Sequence, residues 1–200
     1  MPRGRKKRRK RYGRKSQKSA SILSRVSIHD RPEVVDLNTE FGHFEGDSVE
    51  GKAHRSAVHT QVERVSRMYF ARKVEDMSSK QALKAQLEIF KNIPGKKVRS
   101  VTLDNGKENH LHYKLNDIGI KTFFCDPYSS WQKGSNEYNN GLLRRYFPKG
   151  TDFTKVTQEE IDDVVWEINN TPRKCLGYYT AYEVYLSKLN NTKVAIRSGM

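Results

Sequence analysis

The sequence predicts an α/β fold: a five-stranded mixed sheet with helices packed on both faces. Three observations carry this. Three β-patterned runs follow one another between positions 43 and 74. Two short apolar runs, 98–103 and 118–124, each come after helix-like sequence. The last third holds capped, amphipathic helical segments.

Each element follows from its local pattern. Residues 43–50 (HFEGDSVE) read as the first strand. In 56–65 (SAVHTQVERV), Val58, Thr60 and Val62 alternate with His59, Gln61 and Glu63, and 68–74 (MYFARKV) alternates again. Only Ser66-Arg67 separate these runs, which suggests a hairpin although the strong turn residues are missing. The first three strands then form an antiparallel meander. Ser78 with Gln81 makes a capping box for a helix carrying Leu83, Leu87 and Phe90 on one face, and Pro94-Gly95 stops it. The run 98–103 (VRSVTL) ends at Asp104-Asn105-Gly106. Because a crossover helix precedes it, it is expected to run parallel to its predecessor. Residues 107–117 suit a short helix and 118–124 a fifth strand. Residues 125–135 (CDPYSSWQKGS) form a turn-rich loop leading into a helix at 136–146. Thr157 with Glu160 caps a helix with Ile161, Val164, Val165 and Ile168 on one face, ending before Pro172, and Thr180 with Glu183 opens the last one.

Composition bounds the function classes. Two hundred residues make one domain and a tail. No run of about 18 apolar residues exists, so no membrane span is expected. The basic start is followed by no apolar stretch of the secretory kind. Cys125 and Cys175 lie too far apart for a metal motif, which fits a reducing compartment. The formal net charge of +15 is unevenly placed. Twelve of the 38 basic residues fall in the first 25 positions, ten of them in 1–15, and the first acid is Asp30. The remainder is near balance, with 26 basic against 23 acidic residues. The reading is a basic, disordered arm and polar linker over 1–35, able to dock on the domain, a core over 36–190 and a tail over 191–200. A polycationic arm suits a polyanion, through counterion release at phosphates, and Arg8, Arg9, Lys10 and Arg11 are its central contacts. The same run also suits a nuclear-localisation-like segment, an rRNA-binding tail or a solvated terminus.

Three acids stand out by position. Asp47 lies in the first strand, Asp104 at the C-terminal end of the fourth, and Glu137 at the start of the helix after the Gly-containing loop. If the first and fourth strands are neighbours, Asp47 and Asp104 come side by side, and the helix of Glu137 can deliver the third carboxylate. Gathered carboxylates need a cation, and oxygen-only ligands suit Mg²⁺ or Mn²⁺. Two such ions would serve a phosphodiester displacement. Each acid has an ordinary reading too: Asp104 in an Asp-Asn-Gly turn, Glu137 at a dipole-favoured helix start.

Five stretches narrow the choice: G-H-F-E-G-D (42–47), T-L-D-N-G-K-E (102–108), F-C-D-P-Y-S-S-W-Q-K-G-S-N-E (124–137), N-G-L-L-R-R-Y-F-P-K-G-T-D (140–152) and N-N-T-P-R-K-C-L-G-Y (169–178). In order and spacing, over about residues 20–185, they resemble the transposases of bacterial insertion sequences with a retroviral-integrase-like core, most nearly the insertion-sequence-thirty type. The resemblance implies an RNase H-like fold. It also implies an Asp-Asp-Glu site at Asp47, Asp104 and Glu137 binding Mg²⁺ or Mn²⁺, with two ions expected. The implied chemistry is water attack at the element end, then attack of the freed 3′-OH on target DNA, with no covalent enzyme intermediate. Expected partners are DNA and further copies of the chain, in the bacterial cytoplasm, with no membrane and no small-molecule substrate. Phe44, Ser130, Tyr138 and Thr171 depart from the residues common in the family. Where relatives carry a helix-turn-helix region this chain has the basic arm, so a core fragment, a split-frame product or a remnant is expected. The alternatives are a metal-dependent nuclease on the same fold and a non-catalytic DNA-binding regulator.

Other residues have two readings each. The helix at 136–146 sets Glu137, Asn140, Gly141 and Arg144 in one stripe, and Lys133, Asn136, Asn140 and Arg144 are candidate contacts to DNA phosphates or simply a solvated face. Leu142, Leu143 and Tyr146 are expected on the sheet, and Trp166 in the core. Glu108 is either a hydrogen-bonding acid behind the site or a first-turn helix acid. Tyr128 and Trp131 are expected to anchor their loop rather than stack on a base. Cys125 is expected to be a small buried residue, and His110 and His112 have the wrong spacing for zinc.

Overall fold

The computed structural model describes residues 22–194 apart from 55, 95, 96 and 193. Its strands are β1 (His43–Glu50), β2 (Ala57–Glu63), β3 (Tyr69–Val74), β4 (Ser100–Leu103) and β5 (Lys121–Phe124), in one sheet of order β3-β2-β1-β4-β5. The first three form the antiparallel meander, and β4 and β5 join parallel to β1. After helices α1 (Glu33–Asp36) and α2 (Ser79–Lys91) come α3 (Tyr113–Asp117), α4 (Gly134–Tyr146), α5 (Gln158–Asn170) and α6 (Ala181–Asn190). Through α2 the chain passes β2 and β1, so β4 runs parallel to β3 but pairs with β1. That crossover puts Asp47 and Asp104 on adjacent strands.

Alternation along β1 gives the sheet its two cores. Phe44 points to the α2 side, where Ile89, Phe90, Ile93, Val101, Leu103, Leu115, Ile120 and Phe124 are buried with it. Val49 points to the other side, under α4 and α5, with Val58, Val62, Tyr69, Leu143, Phe153, Ile161 and Ile168. Helices therefore cover both faces, as the sequence predicts.

The β2–β3 turn lacks the usual turn residues because a buried carboxylate organises it. Glu63 accepts from the backbone N–H groups of Val65 (3.1 Å) and Ser66 (2.7 Å) and from Ser66 Oγ (2.6 Å), while Arg67 takes a left-handed φ of 62°. The other Glu63 oxygen accepts from the N–H of Gly42 at 3.0 Å. Gly42 has φ +103°, and a Cβ there would lie 2.1 Å from the Lys97 carbonyl oxygen. Gly42→Ala is therefore expected to lower stability by about 2–3 kcal/mol, from backbone strain and a clash with rigid backbone. Urea unfolding measures it, and a loss under about 0.5 kcal/mol would count against this geometry.

Residues 26–28 pack on the β5 edge, and the chain then continues to Arg31, which donates to Thr102 of β4, and to Val35, whose carbonyl accepts from Arg64. Phe124 N–H donates to the Val26 carbonyl at 2.9 Å, Ser27 bridges Phe124 in parallel, and Ile28 and Val35 are buried. An exposed sheet edge is thereby covered.

Several expectations need correcting. Ser78 accepts from Gln81 N–H, but the Gln81 side chain turns to Glu75 and the Ser78 N–H goes to Asp76, so that box is half formed. Phe90 is buried on α2 and Leu83 packs against the core as expected, but Leu87 lies at the exposed margin, and Ala82, Ala85, Gln86 and Ile89 complete the buried face. The fifth strand starts only at Lys121, since Ile118 and Gly119 form the turn that ends α3. Trp166 is 68% exposed, not core: five residues beyond Ile161, it lies about 140° around α5. Tyr146 is also largely exposed, its hydroxyl donating to Glu167 at 2.6 Å. The boxes at Thr157/Glu160 and Thr180/Glu183 are complete.

Candidate active site

The register of β1 against β4 builds the site. Glu45 pairs with Thr102, and two residues further along each strand stand Asp47 and Asp104, on the α4 face of the sheet. The loop after β5 ends in a 3₁₀ turn, Ser130–Lys133, which lays Lys133 over both carboxylates. Lys133 is 6% exposed. Its Nζ donates to Asp47 Oδ1 (3.0 Å), Asp104 Oδ2 (2.9 Å) and the Gly46 carbonyl (3.1 Å). Burial alone would make the ammonium easier to deprotonate, but the two carboxylates more than offset this and raise its pKa.

The remaining carboxylate oxygens are also fixed. Asn140 Nδ2 donates to Asp47 Oδ2 at 2.8 Å, and the Asn140 carbonyl accepts from Tyr69 Oη (2.8 Å) and Thr60 Oγ1 (3.1 Å), which sets its orientation. Asp104 Oδ1 accepts from the Gly106 N–H and Asn109 Nδ2, both at 2.9 Å. Burial pushes the Asp104 carboxyl up, but Lys133 and the Gly106 N–H outweigh it and hold the group below the usual carboxylate range. Burial first, then the neighbouring Asp104 charge, push the Glu108 carboxyl up.

Glu45, on the same face of β1, ties α4 down. Its Oε2 accepts from the Asn136 N–H at 3.0 Å, an orphan donor of the helix's first turn, and its Oε1 pairs with buried Arg64. Glu45, Thr60 and Tyr69 escape sequence reading. The only available signal is that Glu45 and Asp47 are two apart on one strand face.

An open cleft of about 970 Å³ is lined by Asp47, Asp104, Lys133, Glu137, Asn140, Gly141, Arg144 and Lys149, among others. Glu137 shares this cleft but is exposed and does not join the two aspartates. Among the described residues no group of three or more acidic, His or Cys side chains is arranged to hold a metal ion. The other sequence candidates divide. Asn140 and Arg144 face the cleft, Arg144 donating to the Glu50 carbonyl at 2.7 Å. Lys133 is turned inward, and Asn136 is fully buried beside β1. Arg8, Arg9, Lys10 and Arg11 lie outside the described residues. Tyr128 and Trp131 do not anchor their loop: they are 101% and 71% exposed, held out by a turn whose hydrogen bonds run through Asp126 and Gln132 instead. Cys125 is buried, which pushes its thiol up to about 11, and His112 is spent on Thr122 and the Leu23 carbonyl.

Comparison with known proteins places these residues in context. Residues 38–130 match the integrase core domain family, a stretch that includes Asp47 and Asp104 and stops before Glu137. The chain is 37% identical over 193 residues to the transposase for insertion sequence element IS4351 of Bacteroides fragilis, covering 94% of this chain and 59% of that protein. It is 37% identical over 178 residues to transposase InsI for IS30C of Escherichia coli K12, covering 88% and 46%. A putative integrase of Spiroplasma virus SpV1-R8A2 B is 35% identical, covering 89% and 57%. The chain thus spans about half the length of the curated relatives it matches. Among solved structures, the catalytic core of BIV integrase superposes with a TM-score of 0.58 at 18% identity, over 75% of this chain and 97% of that one. The HTLV-2 integrase catalytic core in complex with magnesium gives 0.55 at 17%, over 74% and 99%. At such identities these two speak to the fold alone.

Proposed function

We propose, because this chain is a retroviral-integrase-like catalytic core of RNase H fold related to the IS30-type transposases, that it is a metal-dependent DNA strand transferase. It would hydrolyse the phosphodiester at an element end and join the freed 3′-OH to target DNA. One observation supports this above the rest: Asp47 and Asp104, register-matched on β1 and β4, hold a cation between them in an open cleft that Arg144 and Lys149 also line. The cation there is an ammonium, but an oxygen-only donor pair that seats one positive charge fits a hard divalent ion. Asp47 and Asp104 would hold Mg²⁺ or Mn²⁺, as two ions, with Glu137 as the third carboxylate from the same cleft. When bound, such ions activate an attacking oxygen and stabilise the leaving one.

The chain's own residues do the positioning. Asn140 holds Asp47, and Gly106 with Asn109 holds Asp104. Arg144 and Lys149 on the cleft wall would take DNA phosphates, joined by Arg8, Arg9, Lys10 and Arg11 of the basic arm. Joining two element ends calls for more than one copy of the chain, working in the bacterial cytoplasm.

The test supplies a pre-cut 3′-OH oligonucleotide, supercoiled plasmid and Mn²⁺ to the full chain and to Glu137→Gln. Joined product from the wild type and none from the variant is the expected result. Nicks without joining would replace the proposal with a nuclease, and firm plasmid binding without any product would replace it with a regulator.

A further inference from the structure

We propose that Lys133 is an internal competitor for the cation site: its ammonium closes the Asp47–Asp104 pair in the metal-free chain, and a divalent ion must expel it to bind. The inference rests on reading that pair as metal ligands. The oxygens that face each other across the gap, Asp47 Oδ1 and Asp104 Oδ2, are the two Lys133 holds, at 3.0 and 2.9 Å. The other two are turned away, onto Asn140 and onto Gly106 with Asn109. A cation held by both aspartates would compete for the oxygens that the ammonium occupies. Two cations competing for the same two oxygens would also repel each other.

The chain also has the means to let the lysine leave. Lys133 sits at the junction between the 3₁₀ turn and α4, with a non-helical backbone (φ −117°, ψ 44°), so the helical ladder does not fix its direction. Its side chain, though turned inward, is part of the lining of the cleft of about 970 Å³. Glu137, one helical turn further on, borders the same space but stays outside the cluster. Lys133 and Glu137 are thus alternatives. With the ammonium in place the two aspartates are already compensated, and a third carboxylate gains nothing by approaching. With the ammonium out and a divalent ion held by the two aspartates, Glu137 would be drawn toward them. The same contact explains how two partly buried carboxylates stay close without an ion.

Two measurements on the full chain without DNA decide this. First, free Mn²⁺ is followed by its paramagnetic resonance signal during titration of the wild type, Lys133→Gln, Lys133→Arg and Asp104→Asn. Lys133→Gln is expected to bind Mn²⁺ about tenfold more tightly than wild type, within the usual range for coupled sites, while Lys133→Arg stays weak. Second, reductive methylation read by mass spectrometry reports whether the Lys133 amine of the wild type is shielded. Shielding without metal and faster labelling with Mg²⁺ is the expected result, and it stands even if Lys133→Gln does not fold. If Asp104→Asn loses Mn²⁺ binding but Lys133→Gln binds no tighter, or Lys133 stays shielded under Mg²⁺, the competitor is overturned and the functional reading survives. If Asp104→Asn binds Mn²⁺ as the wild type does, both fall.

Discussion

Glu45→Ala is expected to cost about 3–5 kcal/mol, the range for breaking a buried ion pair by removing one partner. Glu45 is 1% exposed and serves two groups that have little else. Among the described residues Arg64, itself 8% exposed, would keep the Val35 carbonyl at 3.1 Å and the weaker attraction of Asp36, leaving a buried guanidinium without its directly bonded carboxylate. Burial already lowers the Arg64 pKa, and the Glu45 charge is what opposes that. The Asn136 N–H at the start of α4 would lose its acceptor as well. Because α4 carries Asn140 and Glu137, the damage should extend from stability to the geometry of the cleft. Urea unfolding of Glu45→Ala, Glu45→Gln, Arg64→Met and the Glu45→Ala/Arg64→Met double variant tests this. The glutamine keeps an acceptor for Asn136 and should be milder, and the double variant should recover part of the single losses, since no charge is left unpaired. A single-variant loss under about 1 kcal/mol, with additive effects, would mean the pair is not isolated from water as its burial indicates.

Legibility in the sequence followed how local each signal was. The span of β1 is read correctly from 43–50 alone, and the start of α5 from its capping box, because period and cap are properties of a few neighbouring residues. Asp47 and Asp104 are legible as a pair only through the assumption that β4 lies beside β1, a choice the crossover through α2 makes and no window of sequence contains. The direction of Lys133 is a further step removed. It is a lysine in a loop, which reads as a solvated phosphate contact, and only the 3₁₀ turn before α4 brings it down between two carboxylates. Glu45 and Glu63 are similar cases. Both look like the polar half of an alternating strand, yet each is buried because backbone N–H groups and an arginine or a serine hydroxyl satisfy it. Trp166 fails in the opposite direction: it shares the helix of Ile161 and Val165, but its angle on α5 faces away from the core they reach. Fold class thus reads from periodicity, whereas the site depends on which polar side chains the packed fold chooses to satisfy.

That selection also gives the chain a steep response to acid. Stability is expected to fall by about 2 kcal/mol between about pH 7.5 and about pH 5, through His59. The ring is fully buried on the α2 side of β2, between Ser48 Oγ (3.1 Å) and Gln61 Nε2 (3.0 Å), and the Asp104 charge opposes its burial only in part. Burial, with the nearby Lys133 charge adding to it, pushes its pKa down from 6.5 to about 3. The folded chain therefore keeps His59 neutral while the unfolded chain takes up a proton below about pH 6.5, and the loss grows at about 1.4 kcal/mol per pH unit. His43, whose pKa burial also lowers, acts in the same sense. Asp104, held below the usual carboxylate range, adds its own loss only at lower pH, outside this window. The measurement is urea unfolding of the wild type and His59→Gln across that range. The glutamine cannot titrate, so its stability should vary much less with pH whatever its absolute value. Parallel curves for the two proteins would show that His59 is hydrated or already protonated in the folded state, and would remove the buried neutral imidazole from this account of β2.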